Sequence, residues 1–306
     1  MVLHVALTTH ISSTISSIIK HHRKVKRHAT VDVDSGSSKD ENHLSMEEDP
    51  NLCTTAIFYT ITSTQTGLQV RLSNLSTIIA IVFYKLDANM DIIKSIFFFL
   101  QGIELGTHLI KHAVKSLKEE FPGMNTFSTL SPIPGFRNWL LAKIQSAKRG
   151  ESQTLLKPQE EENLKTLLIQ DANYNTSNNV HEKEEFLAQL HSVIVNNKWV
   201  ENEELANALQ TPLMRLCAQY LYLEKRRNLA FDSVANFHLR NGASIWRINW
   251  LADLSPRGLT NSCGLMVNYR YFIENLEQNS TSYQESFQIS AGDQVTQLAS
   301  QAKSLM

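Results

Sequence analysis

A glycine-bearing turn, QGIELGT at residues 101–107, opens straight into the most regular apolar repeat of the chain. Leu109, Ile110, Ala113, Val114, Leu117 and Phe121 recur at three-to-four spacing, which predicts an amphipathic helix from Thr107 that Pro122 and Gly123 close. Strand-like segments stand on either side. Residues 56–62, AIFYTIT, are β-branched and aromatic, and residues 127–131, FSTLS, form a short strand that Pro132 and Pro134 stop. A strand, a glycine turn and a helix start make a ready anion site, because the first helical N–H groups lack intrahelical partners and the dipole's positive end adds to them. Gly102 and Gly106 would let backbone approach a pyrophosphate closely, whereas Glu104 opposes an anion. The plainer reading of two glycines before a helix is a turn and nothing more.

Elsewhere the chain alternates between buried-looking and polar segments. Residues 2–7 read as a buried strand cut open at Met1, which implies a missing beginning, and residues 21–51 as a polar surface loop. Residues 149–210 are polar and helix-prone, with one amphipathic patch at Phe186, Leu187, Leu190, Val193 and Ile194, and predict a helical lobe outside the sheet. Thr211 and Pro212 look like the N-cap and first position of a helix carrying Leu213, Leu216, Cys217, Tyr220 and Leu221 and ending in the basic EKRR. Asn241 and Gly242 mark a tight turn. Trp246, Ile248 and Trp250 then alternate with Arg247 and Asn249 as in a half-buried strand, and residues 279–306 read as a solvated helix or C-terminal tail.

Composition narrows the function. With 306 residues, 42% of them hydrophobic and 19% charged, the chain can bury a proper core, and a net charge of −1 gives no footprint for nucleic acid. Cys53, Cys217 and Cys263 are too far apart for a CxxC or zinc pattern and point to a reducing compartment. The N-terminus lacks the basic start of a secretory signal, and Lys85, Asp87, Asp91 and Lys94 break the longest apolar run, so a soluble protein with no membrane span is expected.

Two further residues invite chemistry. Ser131, in LSPIPGF, follows a strand end between rigid prolines, so its hydroxyl would be firmly held; the plainer reading is a serine capping a turn, and no GxSxG elbow marks a nucleophile. His238, in ANFHLRNGASIW, lies among apolar neighbours and suits proton transfer if a substrate lay beside it, although a lone histidine there is usually just half-buried. His21, His22 and His28 fall in the polar loop and read as solvated.

The blocks FSTLSPIPGFRNWL, QTPLMRLCAQYLYLEKRR, SVANFHLRNGASIWRINWLADLSPRGLTNSCGLMVNYRYF and NSTSY, with LQGIELGTHLIK, resemble the C-terminal catalytic domain of the malonyl-CoA decarboxylase family. The resemblance implies an α/β fold of acetyltransferase-like (GNAT) type: a mixed sheet with flanking helices and an added helical lobe, here lacking the family's N-terminal helical domain. It implies conversion of malonyl-CoA to acetyl-CoA and carbon dioxide, with no cofactor beyond the coenzyme A of the substrate. Carried over by motif, the active-site serine falls on Ser131 and the histidine on His238, and Gln101, Gly102, Ile103, Glu104, Leu105, Gly106 and Thr107 cradle the coenzyme A pyrophosphate. Homo-oligomers are expected of the intact protein. Its place would be cytoplasm, peroxisome or mitochondrion, and the final Ser304-Leu305-Met306 is a weak variant of a peroxisomal signal.

Losing carbon dioxide from a malonyl thioester leaves an enolate, so donors aimed at the thioester oxygen lower the barrier, each by roughly 3 kcal/mol in comparable sites. A serine can hold the departing carboxylate while a histidine protonates the carbanion, with the division of roles open at this stage. Residues 70–101 interrupt the family pattern between two Leu-Gln pairs and read as a translated intron, the competing reading being a genuine apolar lid. An acyl-CoA acetyltransferase and a catalytically inactive coenzyme A-binding or regulatory protein are the alternative functions.

Overall fold

The computed structural model describes residues 2–18, 52–62, 105–151, 154–170 and 179–306. The loop expected at residues 21–51 and the insertion at residues 70–101 lie outside the described residues. The chain divides into two compact units, Met1–Leu130 and Ser131–Met306.

The first unit holds strands β1 (Val2–Thr8) and β2 (Thr55–Thr62), helix α1 (Leu105–Glu120) and most of β3 (Thr126–Pro132). β1 runs antiparallel to β2, with Thr8 opposite Thr55, and β2 runs parallel to β3, with Ala56 opposite Phe127. A parallel pair needs a long crossover, and α1 stands between β2 and β3 in the chain. Ala56, Ile57 and Phe58 are buried in β2 and Phe127, Ser128, Thr129 and Leu130 in β3, so consecutive residues of both strands are buried, the pattern of a parallel pair covered on two sides.

The second unit contains helices α2 (Phe136–Lys148), α3 (Pro158–Gln170), α4 (Asn179–Asn196) and α5 (Glu203–Ala218), then a π turn, Gln219–Leu223. A two-residue-per-strand hairpin follows, β4 (Lys225–Arg226) with β5 (Leu229–Ala230), and then α6 (Ser233–Arg240), β6 (Ser244–Asn249), α7 (Pro256–Ser262), β7 (Met266–Tyr271), α8 (Leu276–Ser286) and α9 (Asp293–Lys303). With parallel and antiparallel strand pairs and helices between them, the fold is mixed α/β. Among the described residues no helix is long and apolar enough to cross a membrane.

Two expectations are corrected. The helix read as starting at Thr211 starts at Glu203, capped by the Asn202 side chain, which accepts from the Leu205 N–H at 3.1 Å, and Pro212 lies inside it. The buried stripe of Leu205, Leu209, Leu213 and Leu216 runs straight through the proline, and burying four such side chains at ~1.5–3 kcal/mol each outweighs the ~3 kcal/mol cost of an interior proline. The helical path runs on through the π turn Gln219–Leu223 to its C-cap Glu224, so EKRR begins at the helical terminus as expected and leads into the hairpin. Residues 279–306 are no tail: most of α8 and all of α9 lie there, and Tyr283, Val295, Ala299 and Ala302 are buried.

The alternation expected over Trp246–Trp250 also fails, for a local reason. A register shift between Ile245 and Arg247 inserts a bulge, so Ile245 and Ile248 are buried while Trp246 is only half-buried. The bulge turns Asn249 inward, where its amide donates to Asn268 Oδ1 at 2.8 Å. Outside the β6–β7 pair, the far edge of β6 is closed without another strand. Gln294 of α9 accepts from the Ile248 N–H at 2.9 Å and donates to the Ile248 carbonyl at 3.2 Å, and Ile245 pairs with Ala291.

Asn241-Gly242 is the tight turn expected, and it is the one that ends α6. Gly242 has φ +79°, its N–H donates to Leu239 O at 3.0 Å, and the Ala243 N–H donates to His238 O at 3.0 Å, the paired bonds that seal a helix end with a left-handed residue. A Cβ at Gly242 would collide with the backbone carbonyl of Leu276. Gly242→Ala is therefore expected to cost about 2–5 kcal/mol in urea unfolding, the left-handed strain adding to overpacking against rigid backbone. A loss below 0.5 kcal/mol would mean that α8 yields.

Candidate active site

Ser131 is the last residue but one of β3, which Pro132 closes, and Pro134 follows before α2 begins, so the backbone on its C-terminal side has little freedom. His238 comes from α6, an eight-residue helix whose buried stripe is Val234, Ala235, His238 and Leu239. Asp232 fixes the start of that helix: its side chain accepts from the Ala235 N–H at 2.8 Å, an ordinary N-cap. The helix end is the glycine-sealed turn that takes the His238 carbonyl itself.

These two elements bring Ser131 Oγ within 3.3 Å of His238 Nε2. Each residue is only 6% exposed. On the other side of the imidazole, Nδ1 lies 2.6 Å from the Tyr271 hydroxyl, and the Tyr269 ring stacks on it at 4.2 Å and 23°. Both nitrogens are thus engaged and one ring face is covered.

Burial pulls the His238 imidazole down from 6.5 to about 3. Its place in the last turn of α6 works the other way, since a helix C-terminus favours a cation by at most ~2 kcal/mol. Desolvation, worth roughly 5 kcal/mol for a depression of this size, wins, and the ring is neutral at physiological pH. Burial likewise pushes the Tyr271 and Tyr269 phenols up, so both keep their protons. The result is a Ser–His–Tyr chain made of neutral groups. Such a chain can orient a hydroxyl and pass a proton to a strong base, but carries no carboxylate to generate an alkoxide.

Of the expected cradle, residues 101–104 lie outside the described residues, and Leu105, Gly106 and Thr107 form the opening turn of α1, which contains no acidic side chain. Sequence reasoning brought Ser131 and His238 forward and missed Tyr271 and Tyr269. The available signal was their i, i+2 spacing in MVNYRY, which puts both on one face of a strand. Among the described residues no group of three or more His, Cys, Asp or Glu side chains could hold a metal ion.

Comparison with known proteins agrees with the resemblance. Residues 82–305 match the family model described as malonyl-CoA decarboxylase C-terminal domain. The mitochondrial malonyl-CoA decarboxylase of Anser anser anser is 39% identical over 98% of this chain and 47% of its own length, and that of Mus musculus 40% identical over 98% and 48%. The crystal structure of malonyl-CoA decarboxylase from Agrobacterium vitis superposes with a TM-score of 0.60 at 27% identity, covering 97% of this chain and 52% of that one. The Rhodopseudomonas palustris structure gives 0.58 at 27%, covering 97% and 48%. The chain spans about half the length of the curated relatives it matches. On the family match and these identities, the chain belongs to the malonyl-CoA decarboxylase family.

Proposed function

We propose that the chain carries the decarboxylation site of its family and converts malonyl-CoA and a proton to acetyl-CoA and carbon dioxide. The observation that carries this reading is the buried contact of Ser131 Oγ with His238 Nε2, backed by Tyr271 on Nδ1. In the tautomer where Tyr271 donates to Nδ1, the Nε2–H faces the reaction centre. Ser131 donates to the malonyl carboxylate and holds its C–C bond perpendicular to the thioester plane. The bond breaks, carbon dioxide leaves, and the electron pair enters the thioester enolate. Nε2–H then delivers its proton to the α-carbon, which a neutral imidazole can do for so strong a base. Tyr271, as a proton-holding phenol, stabilises the charge left on the ring, and solvent restores the proton.

Coenzyme A would be held by Gln101, Gly102, Ile103, Glu104, Leu105, Gly106 and Thr107, with the first N–H groups of α1 offered to the pyrophosphate. This is the acetyltransferase-like mode of holding an acyl-CoA. The mitochondrion, named for the goose and mouse relatives, is the compartment we assign.

The test is release of labelled carbon dioxide from malonyl-CoA carrying the label in its free carboxyl, with no acyl acceptor present. Expected are equal amounts of carbon dioxide and acetyl-CoA from the wild type. Coenzyme A binding by calorimetry without gas release would leave a binding protein, and acetyl transfer to an added amine without decarboxylation a transferase.

A further inference from the structure

The separation of Ser131 and His238 depends on two elements that are distant in sequence, and the structure contains a wedge between their roots. Tyr220, in the π turn after α5, donates through its hydroxyl to Asp232 Oδ2 at 3.2 Å. Asp232 is the cap of the helix that carries His238, its other oxygen accepting from Ala235 N–H. On its opposite side the same hydroxyl is pressed against Gly135, where an added Cβ would collide with it. Gly135 is the N-cap of α2 and is joined to Ser131 through Pro132, Ile133 and Pro134, a linker with two fixed φ angles. The Tyr220 ring cannot drift, because Phe136, Trp139 and Phe231 surround it at 5.9, 5.5 and 5.7 Å.

We propose that the Tyr220 hydroxyl, held between Gly135 and Asp232, is a positioning group that sets the distance between Ser131 and His238. Neither Tyr220 nor Asp232 has a hydrogen bond to Ser131 or His238; they act through the backbone that each reacting side chain grows from. From Asp232 to His238 the helix rises roughly 9 Å, so a tilt at its cap is carried to the imidazole with little damping. The effect is mechanical. Asn in place of Asp232 keeps the oxygen that accepts from the Ala235 N–H and is as good an N-cap, while its amide NH2 stands where Oδ2 was and donates to the Tyr220 hydroxyl oxygen, so the contact survives with its direction reversed and charge is dispensable here.

The kinetic arm rests on the decarboxylase reading; the spectroscopic arm does not. In 15N-histidine-labelled protein, the His238 ring signals report its bonds to Tyr271 and Ser131 without any substrate. Tyr220→Phe is expected to shift and broaden those signals and to lower kcat about tenfold, with KM within about twofold, since a misplacement near 1 Å can cost on the order of a hundredfold. Gly135→Ala, which leaves every hydrogen-bonding group in place, should do the same. The double variant Gly135→Ala/Tyr220→Phe should be no worse than Tyr220→Phe, because removing the hydroxyl leaves the nearest ring atom at 3.4 Å from the new methyl. Asp232→Asn should keep the His238 signals and kcat within about twofold. Far-ultraviolet circular dichroism and melting identify variants that fold, and Asp232→Asn and the double variant remain informative if Gly135→Ala does not. Unchanged His238 signals in Tyr220→Phe, additive losses in the double variant, or an Asp232→Asn loss equal to that of Tyr220→Phe would each overturn the proposal. A wild type that shows the His238 signals but no carbon dioxide release would sink the decarboxylase reading while leaving the wedge testable by resonance alone.

Discussion

Alanine in place of His238 will lower kcat for malonyl-CoA by roughly 10²–10⁴-fold with KM held within a few fold, because a positioned proton donor acts on the transition state and adds little to substrate binding. Ser131→Ala will cost on the order of a hundredfold, the scale of losing the group that holds the breaking bond in its reactive alignment. Since the two side chains form one contact, the double variant will be little slower than the worse single one. The pH profile adds an independent check. An ordinary histidine would bend kcat/KM near 6.5, but burial holds this ring near 3, so the wild-type profile will run flat in that region. Steady-state rates from pH 5 to 8 measure it, and an inflection at 6.5 that vanishes in His238→Ala would show an imidazole in contact with water.

Acid will destabilise the chain through the same residue. The sign follows from the depressed value: between 6.5 and about 3 the unfolded chain binds a proton at His238 that the folded chain refuses, so stability is complete above 6.5 and falls with pH through this window. At 1.36 kcal/mol per pH unit the whole window is worth roughly 5 kcal/mol, and the part between pH 7 and pH 5 about 2 kcal/mol. The groups packed on the ring, Ser131, Tyr269 and Tyr271, stay uncharged there and offer the imidazolium no counter-ion. Urea titrations at both pH values will show that loss in the wild type and about 2 kcal/mol less of it in His238→Asn, whatever the other histidines contribute. An equal loss in both proteins would mean that the ring titrates normally. With typical stabilities of about 5–15 kcal/mol, this single group is enough to make a moderately acidic compartment hostile to the fold.

Local pattern carried the first unit well. β-branched runs and a three-to-four repeat predicted strands at residues 2–7, 56–62 and 127–131 and a helix from Thr107, and β1, β2, β3 and α1 stand there within two residues. Pattern failed where long-range packing overruled local preference. Pro212 reads as a helix start because its ring fits a first turn, but a leucine stripe on both sides of it is buried as one face. The phase change inside β6 is a bulge, which no period-two rule anticipates. Ser131 and His238 were legible through motif resemblance and not through spacing, since 107 residues separate them. Tyr271 left only its i, i+2 spacing with Tyr269 as a signal, and the Tyr220–Asp232 contact left none, because a tyrosine's worth depends on what its hydroxyl meets after folding.

The side-chain closure of β6 has a consequence for how the protein is made. Gln294 is synthesised 46 residues after the strand whose peptide group it occupies. While the chain leaves the ribosome, β6 therefore emerges with a bare outer margin, open to strand addition from any neighbouring nascent chain. Slow elongation between residues 249 and 294 prolongs that exposure, and a chaperone that binds extended apolar segments would be most useful over that interval.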